Sequence, residues 1–574
     1  MDALLSDRRS RWWLEWELAL VLALVAAIHL SRIVDLPLRG EESRWARIAT
    51  EMIASRDFVV PRQQGAPFLS RPPLQNWAIA AFGRLGGEVG SVATRLPSVL
   101  AVLATVALVY GYSRLFLSSG GAMAAAAAYG TFGHVLELGR VAETEALFTL
   151  FVSGSLLWWH WGYAAGWPRG WMWASAYLMV ALGTLTKGMQ APVYFAVSVG
   201  TFLLVVRSWR MLVSRSHALG LLVFLMVWGA WNVPFARQLG WEGIEQIYTG
   251  DVSMHVHTAA WTVVVRHLAR FPVEVILACL LPWSLLLAAY VSRDFRSQIA
   301  GARSYVLFLA ITLTVTFPSC WLPPGARTRY FMPLYPCIAP LIGLVVERCF
   351  EAARNAQGRL AAGWRGAARY FLVSLACLMV LAGAGMLVAA ALGIDHSARY
   401  RQPLWFALSY AAACGALAVA ACWARRLASA VQVRVGVLAV AAFLGMTYSG
   451  VVTNAQIASS APTARAVARL RNRLPTGTRL VSFEPIHHLF AFHFRDPVEL
   501  RPWPKSSTEV EPVLEYFCFA RAGQSAPALP FAWEQVAAIS CDRNRRSVPN
   551  DVVIVGRRLP PLATRSEAAK VPKR

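Results

Sequence analysis

Apolar runs of about 17 to 25 residues recur through the first three quarters of this 574-residue chain, a length that spans a bilayer core as helix. Inside lipid, only helices and closed barrels satisfy every backbone polar group. Charged residues make up 15% of the chain and hydrophobic ones 57%, where a soluble domain carries about a quarter charged residues. These features predict an all-α polytopic membrane protein. About thirteen transmembrane helices are expected between residues 18 and 452, with outer-face amphipathic helices and a small C-terminal α/β domain. The first run starts near Leu18, behind Trp12, Trp13 and Trp16, and continues to about Val34. That exceeds the apolar core of a secretory signal, so an uncleaved anchor is expected.

The formal net charge is +24, which raises the question of nucleic acid. Position answers it. With the N-terminus inside, the loops holding Arg207, Arg210 and Arg215, then Arg293, Arg296 and Arg303, fall on one face. Arg348 to Arg369 and Arg425 to Arg434 fall on that face too, as the positive-inside rule requires of cytoplasmic loops. The expected location is a bacterial inner membrane, with the C-terminal domain periplasmic, no nucleic-acid partner and a monomeric chain. Most of the nine cysteines lie in or beside apolar segments, where Cys packs as a small hydrophobe.

The same alternation gathers Glu41, Glu42, Glu143, Glu145, Lys187, Arg327 and Arg329 on the outer face, together with the segments 35–91 and 237–271. A loop as long as 35–91 is usually functional. After Glu42, the residues Trp45, Ile48, Ala49, Met52 and Ile53 repeat with helical period, which predicts an interfacial amphipathic helix. Capping of that helix is the plain role open to the two glutamates, because a helix N-terminus favours anions.

The motifs "EESRW", "DFVVP", "RPPLQNW" and "RLPS", in this order, resemble the first outer loop of the polyprenyl-phosphate-sugar-dependent glycosyltransferases. This group has the GT-C fold and includes aminoarabinose transferases and, more distantly, protein O-mannosyltransferases. "GRVAETEALFTLF", "LGTLTKGMQAPV" and "ARTRYFMPLYPCIAPLIG" extend the resemblance over residues 38 to 345. The chain departs from the family pattern at Glu41 and Glu145, where Asp is usual, and at Arg71, where Lys precedes Pro-Pro.

The resemblance implies transfer of a sugar from a polyprenyl (undecaprenyl) phosphate to a lipid, glycan or protein acceptor at the periplasmic face, lipid A among them. Glu41, Glu42 and Glu145 are the expected catalytic carboxylates, with Glu41 as base. Arg71, Lys187, Arg327, Arg329 and Tyr330 are expected at the donor phosphate, where fixed cations stabilise the leaving group. The cofactor implied is a divalent ion (zinc, magnesium or manganese), with Glu145, His255 and His257 as its ligands. His29 and His160 are expected inside packed spans, and His134 near an outer helix end.

Residues 1–458 form the expected transmembrane domain, 459–560 a soluble α/β domain, and 561–574 a disordered tail. Cys518 and Cys541 lie on neighbouring strand segments in an oxidising compartment, which makes a disulfide plausible. Two other functions fit a chain of this class: a catalytically inactive relative that binds lipid as a scaffold, and a lipid or glycolipid transporter. A transporter would place charges deep within spans or repeat its halves, and neither pattern is present.

Overall fold

The computed structural model describes residues 15–36, 38, 40–253, 261–351, 359–393, 403–520, 528–541 and 552–559. Among the described residues, seven helices are long and apolar enough to cross a membrane: Ser91–Arg114, Arg215–Thr249, Arg303–Trp321, Thr328–Phe350, Ala362–Ala391, Leu404–Ala424 and Ala430–Ile457. Counting the pair Trp261–Cys279 and Trp283–Val291, bent by 118°, as one broken span brings the number up to eight. Trp16–Leu30 and Gln190–Val205 are apolar but shorter.

The apolar stretch expected to cross over residues 121–138 is two short helices, Ser119–Gly130 and Gly133–Leu138. Its alanine run, Ala124 to Ala128, is fully buried. A helix apolar on every side packs at the centre of a bundle. The segment 237–271 is helical through Ser253 and again from Trp261, where an outer connection was expected.

The first outer loop folds as the periodicity predicts. The loop helix, Glu42–Ser55, buries Trp45, Ile48, Ala49 and Met52. These pack on Ile79 and Ala80 of a second loop helix, Leu74–Gly86, and on Ala142. A short antiparallel hairpin, β1 (Arg62–Gln63) and β2 (Ala66–Pro67), joins the two helices.

The last span runs on into the helix Thr453–Arg473, which leads into a five-stranded sheet. The strands are β3 (Leu480–Phe483), β4 (Val498–Arg501), β5 (Tyr516–Ala520), β6 (Trp533–Ser540) and β7 (Val552–Arg558). Their order is β4-β3-β5-β7-β6, with β3 parallel to β4 and β5, and β7 antiparallel to β5 and β6. The runs "TRLVSF", "LEYFCFA", "WEQVAAIS" and "DVVIVGR" read as strands from the sequence and coincide with β3, β5, β6 and β7, while β4 has no such run.

The expected Cys518–Cys541 disulfide is absent: both residues are buried thiols. Strand β7 lies between the strands that carry them, with Cys518 opposite Val555 while Ser540 is opposite Val552. Two strand spacings, with a further offset along β7, put the pair at least about 10 Å apart, beyond the roughly 7 Å Cα limit for a bridge.

Candidate active site at the outer face

Gly40 precedes the acidic pair with φ 56°, and a Cβ there would lie 2.9 Å from Glu143 Oε1. The turn therefore needs glycine twice over, for its left-handed backbone and for its closeness to a carboxylate. Immediately after it, Glu41 and Glu42 part company.

Glu42 is fully buried and accepts two hydrogen bonds from Arg95, Nε to Oε1 at 2.8 Å and Nη2 to Oε2 at 2.9 Å. The Ala142 backbone N–H donates to it as well, at 2.9 Å. Arg95 also reaches the carbonyls of Ile33 and Leu36, at 3.0 and 2.5 Å. This corrects the expectation that Glu42 is catalytic. Its oxygens are committed to a staple that ties the loop helix to the span Ser91–Arg114 and to the end of the first helix. The "RLPS" motif thus carries an organising arginine, a role its place among the loop motifs did not reveal.

Glu41 remains accessible, its side chain 39% exposed and ion-paired to Arg44. Behind it, the "AETE" segment brings up two more carboxylates. Arg329 Nη1 lies 3.4 Å from Glu143, and Arg329 Nε lies 3.4 Å from Glu145. Lys187 Nζ donates to Glu145 Oε1 at 3.1 Å and stands 4.8 Å over the Tyr330 ring. Arg71 is in electrostatic range of Lys187. His134 flanks the group, with Nδ1 2.8 Å from the Tyr335 hydroxyl. Arg327 is exposed and forms no ion pair among the described residues.

Burial raises the pKa of Glu143 to about 7, with Glu145 and Glu41 pushing the same way and Arg329 opposing. A buried carboxylate beside other carboxylates resists ionisation, and one titrating near neutrality suits general acid–base work. Glu143 was legible as an outer-face acid, but nothing in the spacing ranked it above Glu145. Burial and the proximity of Glu41 do.

The expected metal ligands His255 and His257 lie outside the described residues. Among the described residues, no group of three or more His, Cys, Asp or Glu could hold a metal ion. Two cations lie within 3.4 Å of Glu145 Oε1, and its Oε2 is buried without a hydrogen-bond partner among the described residues. His29 and His160 sit in packed spans as expected, His29 against the Val25 and Val135 carbonyls and His160 against the Tyr112 hydroxyl.

The C-terminal helix His488–Phe494 closes over the loop helix. Ser43 Oγ and His488 Nδ1 are 2.7 Å apart and buried, and the Ile486 N–H donates to Gln64 at 3.2 Å. Burial lowers the pKa of His488 to about 2, helped by His487 and Arg44, and that of His493 to about 4. Below pH 6.5 the unfolded chain takes up these protons and the folded one does not. Stability is therefore lost as pH falls below about 6.5. Thermal unfolding of the purified protein between pH 7.5 and 5 checks this, and His488→Asn is expected to flatten the slope. An unchanged midpoint across that range would contradict it.

A bundle of apolar helices with carboxylates and cations gathered at one end has a counterpart among solved structures. The fold is shared with ArnT from Cupriavidus metallidurans bound to undecaprenyl phosphate. That match covers 95% of this chain and 98% of that one, with TM-score 0.67 and 18% identity. Residues 70–231 match the family described as dolichyl-phosphate-mannose-protein mannosyltransferase. The chain is 28% identical over 367 residues to an undecaprenyl phosphate-alpha-4-amino-4-deoxy-L-arabinose arabinosyl transferase of Pseudomonas paraeruginosa, covering 61% of each. It is 26% identical over 333 residues to the protein of that name from Edwardsiella ictaluri, covering 55% of this chain and 57% of that one. The match thus spans about three fifths of these curated relatives. Together, the comparisons bear out the resemblance to the polyprenyl-phosphate-sugar glycosyltransferases read from the motifs.

Proposed function

We propose that this chain is an integral-membrane glycosyltransferase that moves a sugar from a polyprenyl phosphate to a hydroxyl of a lipid or glycan acceptor at the periplasmic face. The observation that carries the reading is the array of Glu143, Arg329, Glu145 and Lys187 beside Glu41. It sets a titrating carboxylate against a pair of fixed cations.

In the reaction, the acceptor oxygen attacks the anomeric carbon while the bond from that carbon to the phosphate oxygen breaks. The hydroxyl proton passes to Glu143, with Glu41 beside it holding the acceptor side. The departing polyprenyl phosphate keeps the bonding electrons. Lys187 and Arg329, with Arg71 close by, stabilise its growing charge. Glu145 holds the two cations apart and in place.

The relatives' names support an undecaprenyl-phosphate-linked aminopentose as donor, and lipid A modification as the setting. The thirteen-span arrangement, a cytoplasmic N-terminus and a periplasmic C-terminal sheet belong to the same reading, supported by the basic loops on one face.

The test is transfer from a panel of radiolabelled polyprenyl-phosphate sugars by the purified protein, with membrane extract as acceptor. Lys187→Met is expected to lower transfer about 100-fold or more. Lys187→Arg should recover part of the loss. No transfer from any donor by the wild type would overturn the reading.

A further inference from the structure

At the opposite end of the bundle from the carboxylate cluster lies a groove of about 230 Å³. Its walls are apolar throughout: Trp283 and Leu286 from the broken span, Phe350 below Tyr335–Val346, Phe371 and Leu372 from Arg359–Ala391, and Val437 from Ala430–Met446. The separation from the outer site follows from one span. Tyr330 stands under Lys187 at its upper end and Phe350 lines the groove at its lower end, 20 residues and about 30 Å along a helix.

Exposed arginines adjoin the lining residues of the groove along the chain. Arg369 follows the lining residue Ala368, and its Nη2 donates to the Arg426 carbonyl at 3.4 Å. Arg426 in turn precedes the lining residue Leu427. Arg369, Arg425 and Arg426 are all exposed. Glu347, the carboxylate on the same wall, is taken up by the Ser118 N–H and by Arg348, so it does not neutralise the rim.

We propose that this groove is a binding site for an anionic glycerophospholipid of the inner leaflet, with acyl chains against the apolar walls and the phosphate at Arg369 and Arg426. An apolar channel in the membrane is filled by hydrocarbon, since water gains no hydrogen bonds there. The guanidinium is the side chain best matched to phosphate oxygens, through paired N–H donors. Basic clusters at the cytoplasmic ends of spans select anionic headgroups over zwitterionic ones. The distance from the outer cluster separates this ligand from the sugar donor.

The experiment is native mass spectrometry of the delipidated full-length protein, titrated with phosphatidylglycerol or phosphatidylethanolamine. The paired variant Arg369→Gln/Arg426→Gln removes rim charge, and Ala367→Trp fills the groove while leaving the rim intact. Phosphatidylglycerol is expected to bind the wild type in preference to phosphatidylethanolamine, and about tenfold more weakly to each variant. Equal retention of both lipids would overturn the selectivity. Loss in the arginine variant with full binding in Ala367→Trp would also overturn the proposal, because the chains would then lie outside the groove. A variant that elutes as a single folded species and still binds like the wild type in both forms does the same.

Discussion

Replacing Glu143 by Gln is expected to lower sugar transfer by about 100- to 10,000-fold, the usual contribution of a positioned general base. Donor binding should persist, because Gln keeps the shape and the cations at Lys187 and Arg329 remain. The pH dependence gives a second readout. The base acts ionised, and Glu143 titrates at about 7, so wild-type transfer should rise with pH through about 7 and level off above it. That inflection should vanish from the residual rate of Glu143→Gln. Full activity with an unchanged profile would move the base to Glu41, whose own Gln variant belongs in the same assay.

Loss of the arginine at position 95 should be felt by the whole protein. Arg95→Met leaves Glu42 buried with its charge uncompensated, and breaking a buried pair from one side costs about 3–5 kcal/mol. A large drop in the thermal midpoint is expected, with poor yield of folded protein. Glu42→Met/Arg95→Met should be more stable than Arg95→Met alone, because an apolar pair removes the stranded charge. It should fall short of the wild type, since the Ile33 and Leu36 carbonyls also lose their donor. A double variant no better than the single one would mean that those carbonyl contacts, and not the ion pair, hold the loop.

The local features of the chain were open to reading because their causes are local. The loop helix follows from apolar residues at helical spacing, and its face is buried as that spacing requires. Four strands of the C-terminal sheet were visible as short β-branched and aromatic runs. The break between the two helices of the run over 121–138 was not open to reading, because an apolar sequence looks the same whether its helix is continuous or interrupted.

The candidate site divides in the same way. That Glu41, Glu42, Glu143, Glu145, Lys187 and Arg329 share one face follows from counting spans and placing basic loops. Which glutamate does what does not follow, because four chemically identical side chains take their properties from partners far along the chain. Arg95 lies 53 residues from Glu42, Lys187 lies 42 from Glu145, and Arg329 lies 186 from Glu143. Those partners make Glu42 a staple, Glu145 an anchor for two cations and Glu143 a carboxylate that titrates near neutrality.

The sequence by itself determined that this protein lives in a membrane, which surface its acids and cations share, and which family its motifs resemble. The helical period, the length of an apolar run and the order of a motif are all written in consecutive residues. The tertiary structure alone decided the division of labour among the glutamates, the unbridged Cys518 and Cys541, and the apolar groove beneath the basic loops. Each of these depends on distances between segments that the chain brings together only when it packs.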